Sequence, residues 1–289
     1  MIERHLPHGS TAAGRLSVVV VPDGSDWHYT GLDVMELAAG EKEATSLIGR
    51  EAIVVPLRGS VEVEVEGRTF PLEGRPNPWG VTDVLYLPVG SEAVITSLNG
   101  AEVAVPWAVA EVAYPVQYVA KDAIATELRG AGICSRQVNN FGTPSAIRAD
   151  RLIACEVMQP GGNWSSYPPH KHDVDGEVET RLEEIYYYRV APSPVGTEGF
   201  ALQRVYASAA AEIDVTVEVR TGDVVTIPFG YHGPTVAAPG HDLYYLNVMA
   251  GPRSEVHPDR EWLISDDPAH TWIREQWTRE AVDPRLPFH

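Results

Sequence analysis

Two histidines separated by one residue, His170 and His172, carry the clearest chemical signal in the sequence. Residues two apart on a β-strand share a face, so both imidazoles could reach one metal ion. A tyrosine-rich, strand-like segment follows, and it contains Glu183 and Glu184. A carboxylate buried in such a strand needs a partner of opposite charge, so one of these two residues could be a further metal ligand. His232 comes after another strand-like segment that ends in proline and a glycine turn. Three imidazoles and one carboxylate could bind a divalent transition metal and leave positions open for water or substrate.

Composition and charge exclude several classes of protein. The chain has 289 residues, 44% of them hydrophobic, enough for one large domain or two small ones. Its formal net charge of −18 disfavours binding to nucleic acid, whose phosphates would repel it. No apolar run approaches the roughly 20 residues of a membrane-spanning helix. The first ten residues lack the apolar segment of a signal peptide, so we expect a cytoplasmic protein in which Cys134 and Cys155 stay reduced.

The elements that must position these residues are predicted to be short β-strands. The segment from Ser60 to Gly67 alternates valine with Ser or Glu, as a half-buried strand does, and 25 Gly and 23 Pro supply many turns. Strands are predicted in the first half over residues 16–21, 32–37, 52–57, 84–87 and 93–97, and in the second over 152–158, 184–190, 201–206, 213–219, 224–227 and 243–249.

Two segments are not predicted to form strands. Arg136–Ser145 is polar and contains Asn, Gly and Pro, so we predict a linker and a boundary near residue 135. Asp267 and Pro268 are suited to begin a helix, which is predicted to continue over 269–279. These patterns together predict an all-β sandwich or barrel with a C-terminal helix.

The order of the metal-ligand candidates resembles the two motifs of the cupin superfamily, a jelly-roll barrel that holds a metal ion. The segments 162–173, 182–188 and 242–251, with Gly-Tyr-His at 230–232, more narrowly resemble the 5-deoxy-glucuronate isomerase family of myo-inositol catabolism. The related 5-dehydro-4-deoxyuronate isomerases lack the Trp-Ser-Ser-Tyr-Pro-Pro that precedes His170 here. The resemblance implies a bicupin with two jelly-roll β-barrels: residues 1–135 form a barrel without a metal site and 136–289 form the metal-binding barrel.

By this resemblance the metal ligands are His170, His172, Glu184 and His232. The ligand set admits zinc, manganese or iron, with zinc as the expected ion. Eleven residues separate His172 from Glu184, more than in most cupins, so the segment 173–181 must loop out before the strand begins. With Glu184 inward, Tyr186 and Tyr188 share its face, and Ile185 and Tyr187 pack outward. Glu183 is then an outer-face or interface residue, which we expect to be solvated.

The implied reaction is an aldose–ketose isomerisation of 5-deoxy-D-glucuronate to 5-dehydro-2-deoxy-D-gluconate. It needs stabilisation of an enediolate, a group that moves a proton between C2 and C1, and a cation for the substrate carboxylate. A hydride shift is the rival mechanism. The general base is not identified, and the candidates for it are Lys171, Tyr186, Tyr188, Tyr244 and Asn247. The candidates for substrate binding are Trp164, Ser165, Tyr167 and Arg181, and Arg189 and Arg204 are further candidates for binding the carboxylate.

Two alternative functions fit the same ligand set. A cupin iron dioxygenase would consume oxygen, and a non-catalytic sugar-binding cupin would bind without turnover. Fold alone does not choose between them, because cupins host many functions. The expected partner is a small sugar acid rather than a nucleic acid or a membrane, and exposed sheet edges allow a homo-oligomer.

Overall fold

The computed structural model describes residues 4–288, and within them the fold is almost entirely β-structure. In the first half, segments that alternate valine with polar residues are joined by glycine turns and form ten strands. Their bounds are His5–Leu6 (β1), Leu16–Val20 (β2), Thr30–Leu37 (β3), Lys42–Ser46 (β4), Arg50–Val65 (β5), Arg68–Arg75 (β6), Val84–Leu87 (β7), Glu92–Ser97 (β8), Ala101–Val109 (β9) and Gln117–Val119 (β10).

The remaining strands begin just before the middle of the chain. They are Thr126–Arg129 (β11), Arg136–Gly142 (β12), Ile153–Gln159 (β13), Trp164–Ser165 (β14), His170–Lys171 (β15), Glu183–Val190 (β16), Ala201–Tyr206 (β17), Asp214–Val219 (β18), Val224–Ile227 (β19), Thr235–Ala237 (β20), Leu243–Ala250 (β21) and Ser265–Asp266 (β22). Short 3-10 turns occupy Lys121–Ala123 and Gly132–Cys134, and one α-helix, Ile273–Trp277 (α1), follows β22.

Each half forms jelly-roll-like sheets rather than a closed barrel. The first half has one large sheet in the order β10-β7-β5-β9-β3-β2, and the long strand β5 continues into pairing with β6 and β8. The second half has a large sheet in the order β1-β19-β16-β21-β13-β12-β11 and a smaller one in the order β14-β20-β17-β18. The all-β fold with a short C-terminal helix is therefore confirmed.

The expected boundary near residue 135 stays a prediction. Two strands that precede it in sequence belong to the large sheet of the second half: β11 pairs with β12, and β1 pairs with β19. The large sheet of the second half therefore includes strands from both sides of the predicted boundary.

Three apolar clusters fill the molecule. One lies within the first half and includes Val54, Leu87 and Trp107. A second lies within the second half and includes Tyr186 and Tyr245. The third draws buried residues from both halves, so the large sheets pack on each other through their outer faces. On β16 this alternation places Ile185 and Tyr187 in the shared cluster and their neighbours Tyr186 and Tyr188 inside the second half.

Two sequence predictions were wrong in this region. The polar segment 136–145 is not a linker, because its first seven residues form β12, which pairs with β11 and β13. The predicted C-terminal helix is shorter than 269–279 and covers only Ile273–Trp277, with no buried residue. Cys134 and Cys155 are free, buried thiols, as expected. Within residues 4–288, no helix is both long and apolar enough to span a bilayer.

Candidate metal centre

Backbone hydrogen bonds bring the histidines together from distant parts of the chain. The amide of His170 donates to the carbonyl of His232 at 2.9 Å, and the amide of His232 donates back at 2.8 Å. His172 is tied to the start of β16, because Leu182 donates its amide to the carbonyl of His172 at 2.8 Å. Gly233, with a φ of +106°, packs against the His170 ring, where a Cβ atom would lie 2.8 Å from it. A larger residue there would displace the imidazole.

The three imidazoles converge as metal ligands do. Nitrogen atoms of His170, His172 and His232 all lie within 4.8 Å of one another. Glu184 Oε2 lies 3.0 Å from Nε2 of both His172 and His232. All four side chains are buried, with at most 8% of any residue exposed. The sequence-predicted ligands are thus together in the structure, with Glu184 directed at two of the three histidines.

The hydrogen bonds of these rings test whether a cation fits the site. Nδ1 of His172 lies 2.9 Å from the carbonyl of Leu182, and Nδ1 of His232 lies 2.8 Å from that of Gly230. A neutral imidazole that donates from Nδ1 has only a lone pair on Nε2, and this is the usual outer contact of a metal-bound histidine. The two Nε2 atoms are 3.0 Å apart and both face the Glu184 carboxylate. Three acceptors at this spacing repel unless a cation lies between them, so the residues fit a divalent metal.

Burial and neighbouring charge set the protonation of the site. Burial, reinforced by the other two imidazoles, lowers the pKa of His170 well below its ordinary value. Burial acts to raise the pKa of Glu184, but its interactions with His172 and His232 outweigh burial and lower that pKa to about 2. The site therefore favours a neutral His170 and an ionised Glu184, the forms that bind metal.

The loop predicted between the histidines and β16 is present, and Lys171 anchors it. Lys171 Nζ donates to Asp173 at 2.9 Å and to both oxygens of Glu179, at 2.9 and 2.8 Å. Glu179 also accepts from the backbone amides of Asp173 and Val174. Lys171 is therefore directed away from the histidines and into a structural ion-pair cluster.

Glu183 faces the opposite side of β16 from Glu184, but the expectation that it is solvated was wrong. Only 5% of Glu183 is exposed. Its carboxylate accepts hydrogen bonds from the amides of His28, Tyr29 and Thr30 at 2.7–2.8 Å and from the Thr30 hydroxyl at 2.9 Å. Glu183 thus binds the backbone of the first half to the second.

A cavity beside the histidines contains several of the predicted residues. Its lining includes His170, Glu184, Tyr186, Asn247 and Tyr167. The side-chain amide nitrogen of Asn247 is buried and has no hydrogen-bond partner within residues 4–288. Tyr167 is held by His270, whose Nδ1 lies 2.8 Å from the phenol oxygen. The cavity therefore offers polar groups to a ligand next to the metal ligands.

Other predicted residues lie elsewhere. The Tyr188 hydroxyl donates to Gln203 at 2.7 Å, inside the second half. Tyr244 lies in the cluster shared by both halves and donates to Glu156 at 3.1 Å, on the sheet face away from the metal ligands. Ser165 is buried and contacts the Tyr245 hydroxyl. Trp164 is exposed and packs edge-on against Tyr167.

Arg181 is not near the histidines. It is exposed and lines a separate surface cleft with Asp150, Arg253 and Arg260. The two other arginines that we considered as carboxylate ligands are already paired, Arg189 with Glu102 and Arg204 with Asp214. The sequence-based search for a carboxylate-binding arginine therefore named residues outside the cavity.

The cavity also contains residues that sequence reasoning missed. Arg129, Arg136 and Arg274 contribute guanidinium groups, and Trp262 and Asp266 come from the segment after β21. Arg136 was missed because its segment was interpreted as a linker. Once β12 is recognised as a strand, the alternation of Arg136 with Val138 predicts that both face the cavity.

Comparison with known proteins identifies the family. A profile of the KduI/IolB family matches residues 5–273. The chain belongs to the KduI/IolB family. It is 38% identical over 266 residues to a 5-deoxy-glucuronate isomerase of Geobacillus kaustophilus, covering 89% of this chain and 90% of that protein. It is 35% identical to the protein of the same name from Bacillus subtilis strain 168, covering 89% and 92%.

Solved structures agree with this family. The crystal structure of an IolB-like protein from Salmonella typhimurium LT2 has a TM-score of 0.85 and 34% identity, covering 94% of this chain and all of that one. An oxalate decarboxylase from Lactobacillus farciminis has a TM-score of 0.62 at 13% identity, covering 92% and 89%, which shows a shared fold alone. The protein is thus an enzyme of the isomerase class with a cupin-type fold, and its buried histidine cluster is a candidate metal site.

Proposed function

We propose that the protein is a metal-dependent aldose–ketose isomerase that converts 5-deoxy-D-glucuronate to 5-dehydro-2-deoxy-D-gluconate in myo-inositol catabolism. The observation that carries the proposal is the convergence of the Nε2 atoms of His172 and His232 on Glu184 Oε2, each at 3.0 Å, beside His170. The relatives at 35–38% identity carry the name of this activity. In this proposal the metal ligands are His170, His172, Glu184 and His232.

A divalent cation held there would supply Lewis-acid polarisation of a substrate carbonyl. The zinc ion is our first choice, because imidazole and carboxylate groups are among its usual ligands, and manganese and iron fit the same donors. The chain's own residues then have to orient the sugar acid and exclude water around C1 and C2.

Tyr186 and Asn247 are placed for that orienting task. Both line the cavity with His170 and Glu184. Tyr186 stands on the same face of β16 as Glu184, two residues along, so its hydroxyl group lies next to the ligand cluster. The unpartnered amide nitrogen of Asn247 is a hydrogen-bond donor for a substrate oxygen. We assign both residues to holding the hydroxyl groups of the substrate.

The supporting residues keep these groups in place. Ser166 Oγ lies 3.0 Å from the Tyr245 hydroxyl, and Ser165 contacts the same hydroxyl. Tyr245 packs against Tyr186 with ring centroids 4.9 Å apart. The Ser-Ser-Tyr segment before the histidines thus connects, through Tyr245, to the ring of Tyr186.

The test is an anaerobic assay of zinc-loaded protein with 5-deoxy-D-glucuronate, followed by NMR. We expect the keto acid to form without oxygen, and His172→Ala to lose both the metal and the turnover. His241→Ala is the matched control, because His241 lies outside the cluster and contacts the carbonyl of Ala191. Absence of turnover in protein shown by elemental analysis to hold a stoichiometric metal ion would refute the proposal.

A further inference from the structure

The guanidinium groups that line the cavity beside the metal ligands are not equivalent. Arg129 is paired, because its Nε donates to Glu127 at 2.7 Å. Arg274 is paired through two hydrogen bonds to Asp266, at 2.6 and 3.0 Å. Arg136 has no carboxylate partner within residues 4–288, and its side chain donates only to the carbonyl of Cys134, at 3.3 Å.

Arg136 is also partly buried. Burial lowers the pKa of Arg136, and the nearby groups that affect it most are Tyr245, Arg129, Cys134 and Tyr186, none of them a carboxylate. A partly buried charge that lacks a partner costs free energy. A ligand with a negative charge would offset that cost.

Its position within the sheet directs Arg136 toward the metal ligands. Arg136 opens β12, and Val138, two residues later, lines the same cavity together with Cys155 and Val157 on the neighbouring strand. His170 and Glu184 line this cavity as well. Arg136 and two of the proposed metal ligands therefore line one cavity.

We propose that Arg136 binds the C6 carboxylate of the substrate and makes the enzyme selective for sugar acids over neutral sugars. This inference rests on the proposed function and adds the residue that recognises the charged end of the substrate, opposite the reacting C1 and C2. Arginine suits the role because its planar fork can donate two parallel hydrogen bonds to a carboxylate. It also supplies local positive charge in a chain whose formal net charge is −18.

The decisive experiment compares two substrates on zinc-loaded protein: 5-deoxy-D-glucuronate and 5-deoxy-D-glucose, in which a hydroxymethyl group replaces the carboxylate. Arg136→Met should lower kcat/KM for the acid roughly 100-fold, mostly through KM, because a site built for a charged group loses its partner. Activity toward the neutral sugar should change less than about threefold. Arg136→Lys, which keeps the charge but loses the fork, should fall between the two proteins.

Arg129→Met is the matched control, since Arg129 lines the same cavity but is already paired with Glu127. We expect it to affect both substrates alike and by only a few-fold. An equal loss on both substrates in Arg136→Met would make Arg136 a structural residue and overturn the inference.

A binding measurement separates this inference from the proposed function. D-glucuronate should raise the thermal unfolding midpoint of the zinc-loaded wild type by a few degrees and leave that of Arg136→Met unchanged, at equal zinc content. If the wild type shows this Arg136-dependent shift but does not turn over 5-deoxy-D-glucuronate, the proposed reaction fails and carboxylate recognition stands. If D-glucuronate shifts both proteins equally, or neither, the inference about Arg136 is wrong.

Discussion

The two halves of the molecule have a similar order of strands, but the side chains inside them differ. In the first half β5 lies between β7 and β9, and in the second β16 lies between β19 and β21. Ala52 of β5 is opposite Leu87 and Trp107, and Glu184 of β16 is opposite Ile227 and Met249. The position that holds the proposed carboxylate ligand in one half therefore holds a methyl group in the other.

The same comparison extends along both strands. Two residues after these positions stand Val54 and Tyr186, each buried inside its own half. The first interior is filled by aliphatic side chains and Trp107, whereas the second contains imidazoles and tyrosines around a cavity. One interior stabilises the fold, and the other gives up apolar packing for a polar site.

Outside the interiors the halves are alike. Glu51 and Glu183 immediately precede Ala52 and Glu184, and each binds three consecutive backbone amides of the opposite half. Glu183 accepts from residues 28–30 and Glu51 from residues 150–152, all at 2.6–2.8 Å. The segments that donate these amides lead into β3 and β13, which hold equivalent positions in their sheets. The two sets of contacts are therefore related by an internal two-fold symmetry. The halves differ in the chemistry of their interiors but bind each other through equivalent contacts.

The largest expected effect on activity comes from replacing Glu184 with alanine, the residue at the equivalent position of the first half. Glu184→Ala should lower isomerase activity at least about 1000-fold, because a metal ligand is lost from a buried site. Elemental analysis should show reduced metal content, and circular dichroism should show an intact fold. Near-normal activity in this variant would mean that Glu184 is not a ligand. Glu64→Ala, on the exposed part of β5, is the control.

The paired glutamates provide an intermediate effect on stability. Glu183→Gln and Glu51→Gln should each lower the free energy of unfolding by roughly 2–4 kcal/mol, because buried amides lose a charged acceptor. Urea denaturation measures both changes. Glu64→Gln should change stability by less than about 0.5 kcal/mol. If only one of the two variants is destabilised, the two contacts are not equivalent and the internal two-fold relation has no energetic counterpart.

The smallest expected effect is on the pH dependence of stability, and it concerns the carboxylate of Asp33 inside the first half. Asp33 occupies the position of Cys155, since it is opposite Val105 as Cys155 is opposite Asn247. Burial raises its pKa from 3.8 to about 6, although Arg50 lies 3.5 Å away. The folded state therefore binds this proton more tightly than the unfolded state, and the contribution of Asp33 to stability should fall as pH rises from about 4 to 6.

Asp33→Asn should remove that fall and raise the free energy of unfolding at pH 7 by roughly 1–3 kcal/mol. Urea titrations at pH 4, 5, 6 and 7 test the slope. If the stability of Asp33→Asn depends on pH in the same way as that of the wild type, the carboxylate is not destabilised by burial.

Much of the site was predictable because it depends on local periodicity and on a recognisable order of residues. The alternation on β16 assigned Glu184, Tyr186 and Tyr188 to one face and Ile185 and Tyr187 to the other, and the clusters confirm it. The positions of His170, His172 and His232 near Glu184 follow from the resemblance to a family. The strands Val84–Leu87, Ala201–Tyr206 and Val224–Ile227 begin and end as predicted.

Errors arose where a residue's environment depends on distant segments. Arg136 stands in a polar stretch that resembles a linker, and it becomes part of a strand only because β11 and β13 pair with both sides of it. Glu183 is buried because residues 28–30 of the other half donate to it. Arg181 and Arg136 have the same side chain, yet only Arg136 reaches the cavity.

The sequence by itself determined the fold class, the family and the four residues proposed as metal ligands, because strand periodicity and motif order are local properties of the chain. Only the tertiary structure decided which charged side chains are free to meet a ligand. Lys171 is neutralised by Asp173 and Glu179, and Arg274 by Asp266, whereas Arg136 is left unpaired among the described residues. The availability of a charge depends on what packs beside it, and that is set by contacts between residues far apart in the chain.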